Sequence, residues 1–398
     1  MKPHWLVLAA LLTANGLAAQ GDAVIAVRGA TIHTATGEPI RNGIIVVRNG
    51  KIAAVGAGVS IPAGARIYDM VGKDLTPGLI DNHSHIGAKS TDLNDSPMLI
   101  GPQHRFIDAL DWNDPDFKDA VSGGVTTIVT GPGSGENVSG MAAVIKTFGT
   151  AYDRRMLLEK GGMKFAMGAK SRERYPTTTM GVAANLRQYL IRTQEYMAAR
   201  KKWEDDGQKG APPARDLGLE SMADVLTKRT YVRAHVHSAT DVMTLLRLKD
   251  EFGFDLTLHH STEAYKVAAE VAKRGVSAVV VPLGDRIGIT EDAMAGPYVL
   301  WKAGVKIAMH TDAPVINQKW LRLCAALAMR YGIPEEEALK MVTRNAAEIA
   351  RVSERVGSLE VGKDADFVVF DGPWYEPRSR IEMVVGDGAV IFTRSEGK

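Results

Sequence analysis

The stretch LTPGLIDNHSHIGA, residues 75–88, divides the chain into two kinds of sequence. Pro77 and Gly78 interrupt the preceding pattern, because proline lacks a backbone donor and glycine adopts unusual backbone angles. The apolar run that follows has the length of a buried strand and ends in His-Ser-His. Side chains two residues apart in a strand share a face, so His83 and His85 are expected to lie side by side. Two imidazoles on one face are a first indication of a metal site.

The composition is that of an ordinary globular protein. The chain has 398 residues and a formal net charge of +2 at pH 7, which allows one large domain together with a small one. It has no long basic run and no basic patch interleaved with aromatic residues, so we expect no nucleic-acid partner. The single cysteine leaves no intramolecular disulfide to form.

Residues 1–20, MKPHWLVLAALLTANGLAAQ, contain an early lysine, an apolar run and small residues near the end. This pattern is typical of a secretory signal peptide and is too short for a membrane span. We therefore expect a secreted or periplasmic protein that has no membrane anchor after the signal is removed.

Short β-branched runs separated by Gly, Asn and Asp turns occur at both ends of the chain. Examples are AVIAVRGATIHT near the start and IEMVVGDGAVIFTR near the end. Such runs are typical of strands joined by tight turns. They predict one small β-sandwich domain composed of residues 21–75 and 355–398.

Between the two ends, strand-like and helix-like patterns alternate, which indicates a parallel α/β sheet. Eight apolar runs are candidate strands, at residues 78–83, 125–130, 142–147, 163–167, 231–235, 255–260, 277–281 and 305–310. Eight strands with intervening helices predict a (β/α)8 TIM-type barrel over residues 76–354. An insertion at about 169–228 is longer than an ordinary connection between strand and helix, and its pattern predicts a long helix. We expect this insertion to form a lid or a contact within a homo-oligomer.

Pairs of potential metal ligands lie at the ends of four candidate strands: His83 and His85, His235 and His237, His259 and His260, and His310 with Asp312. The carboxyl ends of barrel strands open into the active-site mouth. Alternation places the members of three pairs on a common face, whereas the adjacent His259 and His260 are expected to face opposite ways. Imidazoles and a carboxylate that converge from separate strands describe a zinc-like site with open positions.

Three segments, TPGLIDNHSHIG, HTDAPV and VGSLEVGKDADFVVFDG, resemble the amidohydrolase superfamily of metal-dependent hydrolases, whose members combine a (β/α)8 barrel with a split β-domain. GVTTIVTGPGSGENVSGMAAVIKTFG and LHHSTEAYKVA are most similar to its imidazolonepropionase-related branch. That branch also includes enzymes that cleave acyl-amino-acid or dipeptide bonds. The resemblance covers nearly all of the mature chain.

The resemblance implies two divalent metal ions, for which zinc is the default. It makes His83 and His85 ligands of a more buried metal, and His235 and His260 ligands of a second metal. It makes Asp312 both a ligand and the catalytic base.

Many binuclear members bridge their metals with a carboxylated lysine on the fourth strand, and Lys164 in GGMKFAMG occupies that place. Lys164 alternates with the apolar Met163 and Phe165, so its side chain is expected to face the barrel interior. A bare ammonium beside two cations is unfavourable, whereas a neutral amine can react with carbon dioxide to give an anionic bridging ligand. The alternative is a lysine that extends to the barrel rim.

The expected reaction is hydrolysis of an amide C–N bond in a dipeptide, an N-acyl amino acid or a cyclic amide. A hydroxide that bridges two metals would attack the carbonyl, and Asp312 would carry the proton to the leaving nitrogen. His237 shares the face of His235 and is expected to hydrogen-bond the substrate or the tetrahedral intermediate.

We expect a residue that follows the fourth strand, Arg172, Arg174 or Tyr175, to reach the pocket and hold a substrate carboxylate. We expect Arg286, which follows the seventh strand, to line the mouth as a further substrate-binding residue.

Two alternatives stay open. A mononuclear deaminase of the same superfamily usually has a glutamate shortly after the fifth-strand histidine, and HVHSATDV has none. A non-catalytic assembly protein on this fold would have lost metal ligands. The full ligand set favours a catalytic protein.

Overall fold

The computed structural model describes residues 24–95, 98–150, 152–168, 172–173, 176–283 and 290–394, so the predicted signal peptide lies outside the described residues. The strands are β1 (Ile25–Ile32), β2 (Ile40–Arg48), β3 (Lys51–Gly56), β4 (Arg66–Asp69), β5 (Asp74–Pro77), β6 (Leu79–Ser84), β7 (Val125–Thr130), β8 (Val138–Met141), β9 (Ala143–Lys146), β10 (Met156–Leu158), β11 (Met163–Ala166), β12 (Val232–Val236), β13 (Leu256–His260), β14 (Ser277–Val280), β15 (Ile307–Met309), β16 (Phe367–Phe370), β17 (Ile381–Gly386) and β18 (Ala389–Thr393). The α-helices are α1 (Asp116–Ser122), α2 (Tyr152–Arg155), α3 (Thr179–Asp205), α4 (Leu217–Leu226), α5 (Ala239–Phe252), α6 (Ala268–Lys273), α7 (Glu291–Lys302), α8 (Leu321–Arg330), α9 (Glu335–Met341) and α10 (Arg344–Ile349).

Strands from both ends of the chain share one sheet, with the order β18-β17-β16-β5-β1-β2-β3 and with β4 paired to β1. Two of its hairpins have two-residue turns, Asn49-Gly50 between β2 and β3 and Asp387-Gly388 between β17 and β18. All four turn residues have positive φ, as in the type I′ turn that matches the twist of a hairpin. The packing of this terminal sheet as a two-layered sandwich stays a prediction.

The central strands form two sheets, ordered β10-β9-β7-β6 and β15-β14-β13-β12-β11-β8. Strands β11 to β15 are parallel to their neighbours in the series, and β6 is parallel to β7. Every residue of β6 and β7 is buried. Burial on both faces explains why these strands are continuous apolar runs rather than alternating patterns.

The third predicted strand, residues 142–147, runs against its neighbours. The chain there forms β8 and β9, which are separated by Ala142. Strand β8 is antiparallel to β11, and β9 is antiparallel to β7. The connection between β7 and β8, residues 131–137, contains no helix. The expected repeat of parallel strand and helix is therefore wrong at this position, because an apolar run does not encode the direction of a strand.

The two central sheets meet at both edges. Strand β8 continues almost directly into β9. At the other edge, the His85 N–H donates to the Ala313 carbonyl at 2.8 Å, and the Asp312 N–H donates to the His83 carbonyl at 3.1 Å. The carboxyl end of β6 therefore lies beside the residues that follow β15.

The insertion at about 169–228 contains α3, which is the long helix that the sequence predicts, and α4. The Thr178 hydroxyl caps α3 by accepting the Gly181 N–H at 3.0 Å, as helix N-caps do. The buried side chains of α3 end at Thr193, so its second half extends beyond the core. No helix in the described ranges combines the length and apolar character needed to cross a membrane.

A buried lysine joins the central strands to the terminal sheet. Lys146 Nζ lies 2.8 Å from Asp364 Oδ2 and 2.9 Å from Asp366 Oδ2, and it also contacts Asp387. Burial alone would lower the pKa of Lys146, but the three carboxylates outweigh burial and raise it. The lysine therefore remains a cation inside an acidic cluster.

A buried histidine makes a second link of this kind. His33 Nδ1 lies 2.9 Å from Glu336 Oε1 in α9, and His33 Nε2 lies 3.3 Å from Asp74 Oδ2. Burial alone would lower the pKa of His33, but the interactions with Asp74 and Glu336 raise it from 6.5 to about 9. His33 is therefore positively charged at neutral pH.

Candidate metal centre

The His-Ser-His end of β6 and the residue Asp312 form a first group of potential ligands. Asp312 Oδ1 lies 3.4 Å from His83 Nε2 and 3.1 Å from His85 Nε2. The other ring nitrogen of each histidine contacts a neighbour. His83 Nδ1 is 2.8 Å from His259 Nδ1, and His85 Nδ1 donates to the Gly131 carbonyl at 2.7 Å. A partner at Nδ1 fixes the ring and presents Nε2 to a metal.

A second group consists of His235, His237 and His260, each of which has a ring nitrogen within 4.8 Å of one in the other two. Its rings are close, with 4.1 Å between the centroids of His235 and His260. In this group, hydroxyl groups contact the Nδ1 atoms of His235 and His237. Ser134 Oγ lies 3.0 Å from His235 Nδ1, and Thr262 Oγ1 lies 2.9 Å from His237 Nδ1. Both groups therefore show the orientation that metal-binding histidines require.

Lys164 lies between the two groups. Its side chain comes from β11, is only 2% exposed, and has Nζ 3.1 Å from His83 Nε2. The positive charge of Lys164 also contributes to the lowered pKa of His235 in the second group. The His83 and His260 rings, with centroids 4.9 Å apart, complete the contact between the groups.

Burial and neighbouring charges shift the pKa values of four candidate ligands, His83, His85, His235 and Asp312. Burial is the largest cause that lowers the pKa of His83, His85 and His235, and the charge of Lys164 lowers each of them further. Burial raises the pKa of Asp312, but the charge of His260 and the hydrogen bond from His85 outweigh it, so the net pKa lies well below its usual range. Neutral imidazoles and an ionised carboxylate are the donors that suit zinc and related divalent metals.

Three residues at the site have left-handed backbones. The φ angles of His260, Ser261 and Asp312 are +63°, +54° and +56°. Such angles are costly for residues other than glycine, and they cluster at functional sites whose surroundings enforce them.

The backbone at His260 corrects one expectation. His259 and His260 do not face opposite ways, because both rings lie 4.9 Å from the His83 ring, measured between centroids. The positive φ of His260 ends the extended conformation on which strand alternation depends. His259 therefore contacts His83, whereas His260 joins the second group. The His310 ring also lies inside the site, 5.1 Å from that of His83.

Asp81 is a site residue that the sequence reading missed. Its Oδ1 accepts the backbone N–H groups of His83 and Thr311, both at 3.2 Å, and its Oδ2 accepts from Gln318 Nε2 at 3.1 Å. Burial raises the pKa of Asp81 to about 6, although the hydrogen bonds oppose this increase. Asp81 thus holds the backbone next to His83 and Asp312. Its two-residue spacing from His83 is the signal that could have identified it.

Arg233 was also missed. It lies on β12 two residues before His235, is 2% exposed, and donates from Nη2 to the Asn82 carbonyl at 2.9 Å. Burial lowers its pKa. The guanidinium therefore connects the strand that carries His235 to the strand that carries His83. Ser134 and Thr262 carried no comparable signal, since loops bring them to the histidines.

The predicted substrate-binding residues are only partly described. Arg172 donates from Nη1 to Thr179 Oγ1 at 2.7 Å and to the Asp241 carboxylate at 3.2 Å. This ion pair connects the start of α3 to α5, and the predicted contact of Arg172 with substrate stays a prediction. The other three, Arg174, Tyr175 and Arg286, lie outside the described residues.

Sequence comparison finds relatives that are named as an amidohydrolase and as imidazolonepropionases. Amidohydrolase tasK of Hapsidospora irregularis is 29% identical over 370 residues, which cover 83% of this chain and 37% of that protein. This chain thus spans little more than a third of the length of that relative. An imidazolonepropionase of Geobacillus sp. (strain WCH70) is 25% identical over 416 residues, covering 88% of this chain and 90% of the relative.

A solved structure shows the same fold over nearly the whole chain. The crystal structure of an amidohydrolase from Thermotoga maritima MSB8 is 35% identical, with a TM-score of 0.86, and covers 93% of this chain and 100% of that chain. The sequence model of the Amidohydrolase family matches residues 75–398. The resemblance to this family is therefore confirmed: the chain belongs to the amidohydrolase family and is a metal-dependent amidohydrolase.

Proposed function

We propose that this amidohydrolase uses two divalent metal ions to hydrolyse the C–N bond of a small amide. The observation that carries the proposal is the convergence of two groups of ligand atoms, with Lys164 Nζ 3.1 Å from a ligand nitrogen of the first group. A mononuclear deaminase would need only one such group.

We further propose that the two central sheets form one barrel of the (β/α)8 type, in which β8 and β9 together are a reversed third strand and β10 is additional to the eight. The hydrogen bonds between the ends of β6 and β15 and the direct passage from β8 to β9 support this closure. Active sites of such barrels lie at the carboxyl ends of the strands, where His83, His235 and His260 occur.

The donor set fits two ions. His83, His85 and Asp312 would hold one ion, and His235 with His260 the other. A carboxylated Lys164 would add an anionic ligand between them, since it is buried beside His83. Bound divalent ions, of which zinc suits the ligands, would polarise the substrate carbonyl and lower the pKa of a water molecule toward neutrality.

Asp312 is the proton carrier in this proposal. Its Oδ1 lies 3.1 Å from His85 Nε2 in the first group of ligands, so the carboxylate would lie beside the attacking water and could carry its proton to the leaving nitrogen. Asp81, two residues before His83, holds the adjoining backbone by accepting the Thr311 N–H. This support keeps the carboxylate in the position that proton transfer requires.

The proposed substrates are dipeptides, N-acyl amino acids and cyclic amides. A cyclic amide is included because the chain resembles an imidazolonepropionase over 88% of its length.

The test is a hydrolysis screen of the three classes with zinc-loaded protein, together with metal analysis by mass spectrometry. We expect turnover of at least one class, loss of that turnover on chelation, and recovery with zinc. We also expect two metal equivalents, both lost in Lys164→Ala. One equivalent, with unchanged activity in Lys164→Ala, would contradict the bridged centre. Absence of turnover with a folded, metal-loaded protein would contradict the assigned reaction.

We also propose that residues 1–20 direct export and are then removed, which would place the enzyme in the periplasm or outside the cell. The support is the pattern of charge, apolar run and small residues in that segment. Intact-mass measurement of protein from the periplasmic fraction should give a start near residue 21. A retained Met1 would contradict the proposal.

A further inference from the structure

His237 has a position that its expected role on the substrate does not explain. Its ring centroid lies 4.7 Å from that of His235 and 5.2 Å from that of His260. These three residues form the second group, and one ring nitrogen of each lies within 4.8 Å of the others. His237 therefore belongs to the same group as the two expected ligands, although its ring lies farther from theirs than the 4.1 Å between the rings of His235 and His260.

The orientation of His237 matches that of the other ligands. Its Nδ1 lies 2.9 Å from Thr262 Oγ1, just as His235 Nδ1 contacts Ser134 and His85 Nδ1 contacts Gly131. Each contact engages Nδ1, so Nε2 is the ring nitrogen that a metal would bind. Outer partners of this kind are the usual accompaniment of metal-binding histidines.

Strand geometry explains how His237 reaches this place. It follows His235 by two residues at the end of β12, so both side chains lie on one face. The same spacing places His83 and His85 together at the end of β6, where both face Asp312. The molecule thus contains two His-x-His pairs, and each is completed by one residue from another strand end.

The ligand atoms of the second group are close enough to converge on one ion. Bonds of about 2.1 Å from zinc to nitrogen place two ligands of a tetrahedral ion about 3.4 Å apart. The nitrogens of the second group lie within 4.8 Å, so side-chain movements of up to about 1.4 Å would close the site around an ion. Three histidines with an open fourth position also form a recognised type of catalytic zinc site.

We propose that His237 is a ligand of the second metal, so that this ion is held by His235, His237 and His260 together with Lys164. The proposal rests on the two-metal function proposed above. It replaces the expectation that His237 acts only on substrate. Its consequence is that the second ion needs no protein carboxylate from an Asp or Glu side chain.

The test measures metal binding rather than turnover. Apo-protein is titrated with cobalt(II), and the visible absorption and the bound equivalents are recorded for the wild type, His237→Ala and His237→Gln. We expect each variant to bind the second equivalent at least 10-fold more weakly, to lose part of the cobalt absorption, and to retain the first equivalent. Circular dichroism and thermal unfolding of the apo-proteins establish that the variants are folded.

His104→Ala provides the matched control, since His104 is a partly exposed histidine 3.5 Å from Asp95, outside both ligand groups. It should bind cobalt as the wild type does. Folded His237 variants with wild-type cobalt affinity and spectrum would overturn the inference, even if their turnover fell. A wild-type protein that binds one equivalent would instead overturn the two-metal function itself, so the two failures are distinguishable.

Discussion

The metal centre and the Lys146 cluster both bring together at least three potential metal ligands, but they differ in what balances their charge. In the cluster, the ligands are carboxylates, and Lys146 Nζ lies 2.8 Å and 2.9 Å from two of them. In the centre, the ligands are mostly imidazoles whose pKa values burial lowers. The cluster is an internal salt bridge, whereas the centre combines several imidazoles with the single carboxylate of Asp312.

The difference shows that proximity of ligand atoms does not by itself identify a metal site. The three carboxylates of Asp364, Asp366 and Asp387 are as close together as the histidines are. The protein supplies their counter-charge from a side chain. At the centre, Lys164 is the only described lysine among the ligands that we assign, and carboxylation would turn it from a cation into an anion.

The largest expected effect is the loss of the carboxylate at the centre. Asp312→Asn removes the proposed proton carrier, so we expect kcat to fall about 10²- to 10⁴-fold. Steady-state kinetics on the substrate found in the screen gives the measurement. Asp108→Asn is the control, since Asp108 is exposed and pairs with Arg105. A fall of less than tenfold in Asp312→Asn would show that the proton travels by another group.

The next effect concerns the cluster. Lys146→Met removes the cation beside the buried Asp366, whereas Asp364 keeps its contacts with Lys51 and Arg355. Breaking a buried ion pair in this way costs about 3–5 kcal/mol of the free energy of unfolding. Denaturant titration measures it. Lys201→Met, at an exposed pair with Asp205, should leave the free energy of unfolding nearly unchanged. Unequal metal content in Lys146→Met and the wild type would mean that the two regions are not independent.

A somewhat smaller change in the free energy of unfolding should come from His33. As in the Lys146 cluster, a positively charged side chain here balances neighbouring carboxylates. The pKa of His33 is raised from 6.5 to about 9, so its stabilisation is complete below pH 6.5 and is lost as the pH rises through 9. Linkage gives a change of about 3 kcal/mol over this window. Denaturant titrations between pH 6 and 10 should show the decline, and His33→Asn should flatten it. If the free energy of unfolding of His33→Asn declined equally with pH, the decline would belong to another titrating group.

The smallest expected effect tests how closely the backbone at Gly168 packs against the His235 ring. A Cβ added at Gly168 would lie 2.8 Å from His235 Cδ2 and 2.9 Å from its Nε2, so Gly168→Ala must displace the ring. We expect metal affinity to fall about 10- to 100-fold, measured by competition with a chelator. Gly58→Ala is the control, because nothing lies within 4 Å of its added Cβ. Equal affinities would show that His235 does not need its present position.

Much of the fold could be predicted because buried strands are apolar runs and tight turns have characteristic residues. Asn49-Gly50 and Asp387-Gly388 are turns of this kind. The reversal of β8 and β9 could not be predicted, since an apolar run fits a parallel or an antiparallel neighbour equally well. Strand direction was decided by the connection at 131–137, whose conformation has no simple sequence pattern.

The candidate site was predictable where it depends on strand periodicity. The spacing of two between His83 and His85, and between His235 and His237, placed each pair on one face. Periodicity failed at His260, where a positive φ ends the strand. Contacts between distant segments, such as Arg172 with Asp241 or Ser134 with His235, also carry no local signal.

The terminal sheet has a consequence for how the protein is made. Strand β5, which ends at Pro77, pairs with β16, which begins at Phe367. During synthesis, β5 emerges from the ribosome long before its partner, and pairing across so many residues is slow. The edge of β5 that pairs with β16 therefore has no partner strand until the chain has been translated past Phe367. A product that terminates before Phe367 would keep that edge exposed to pairing with other chains.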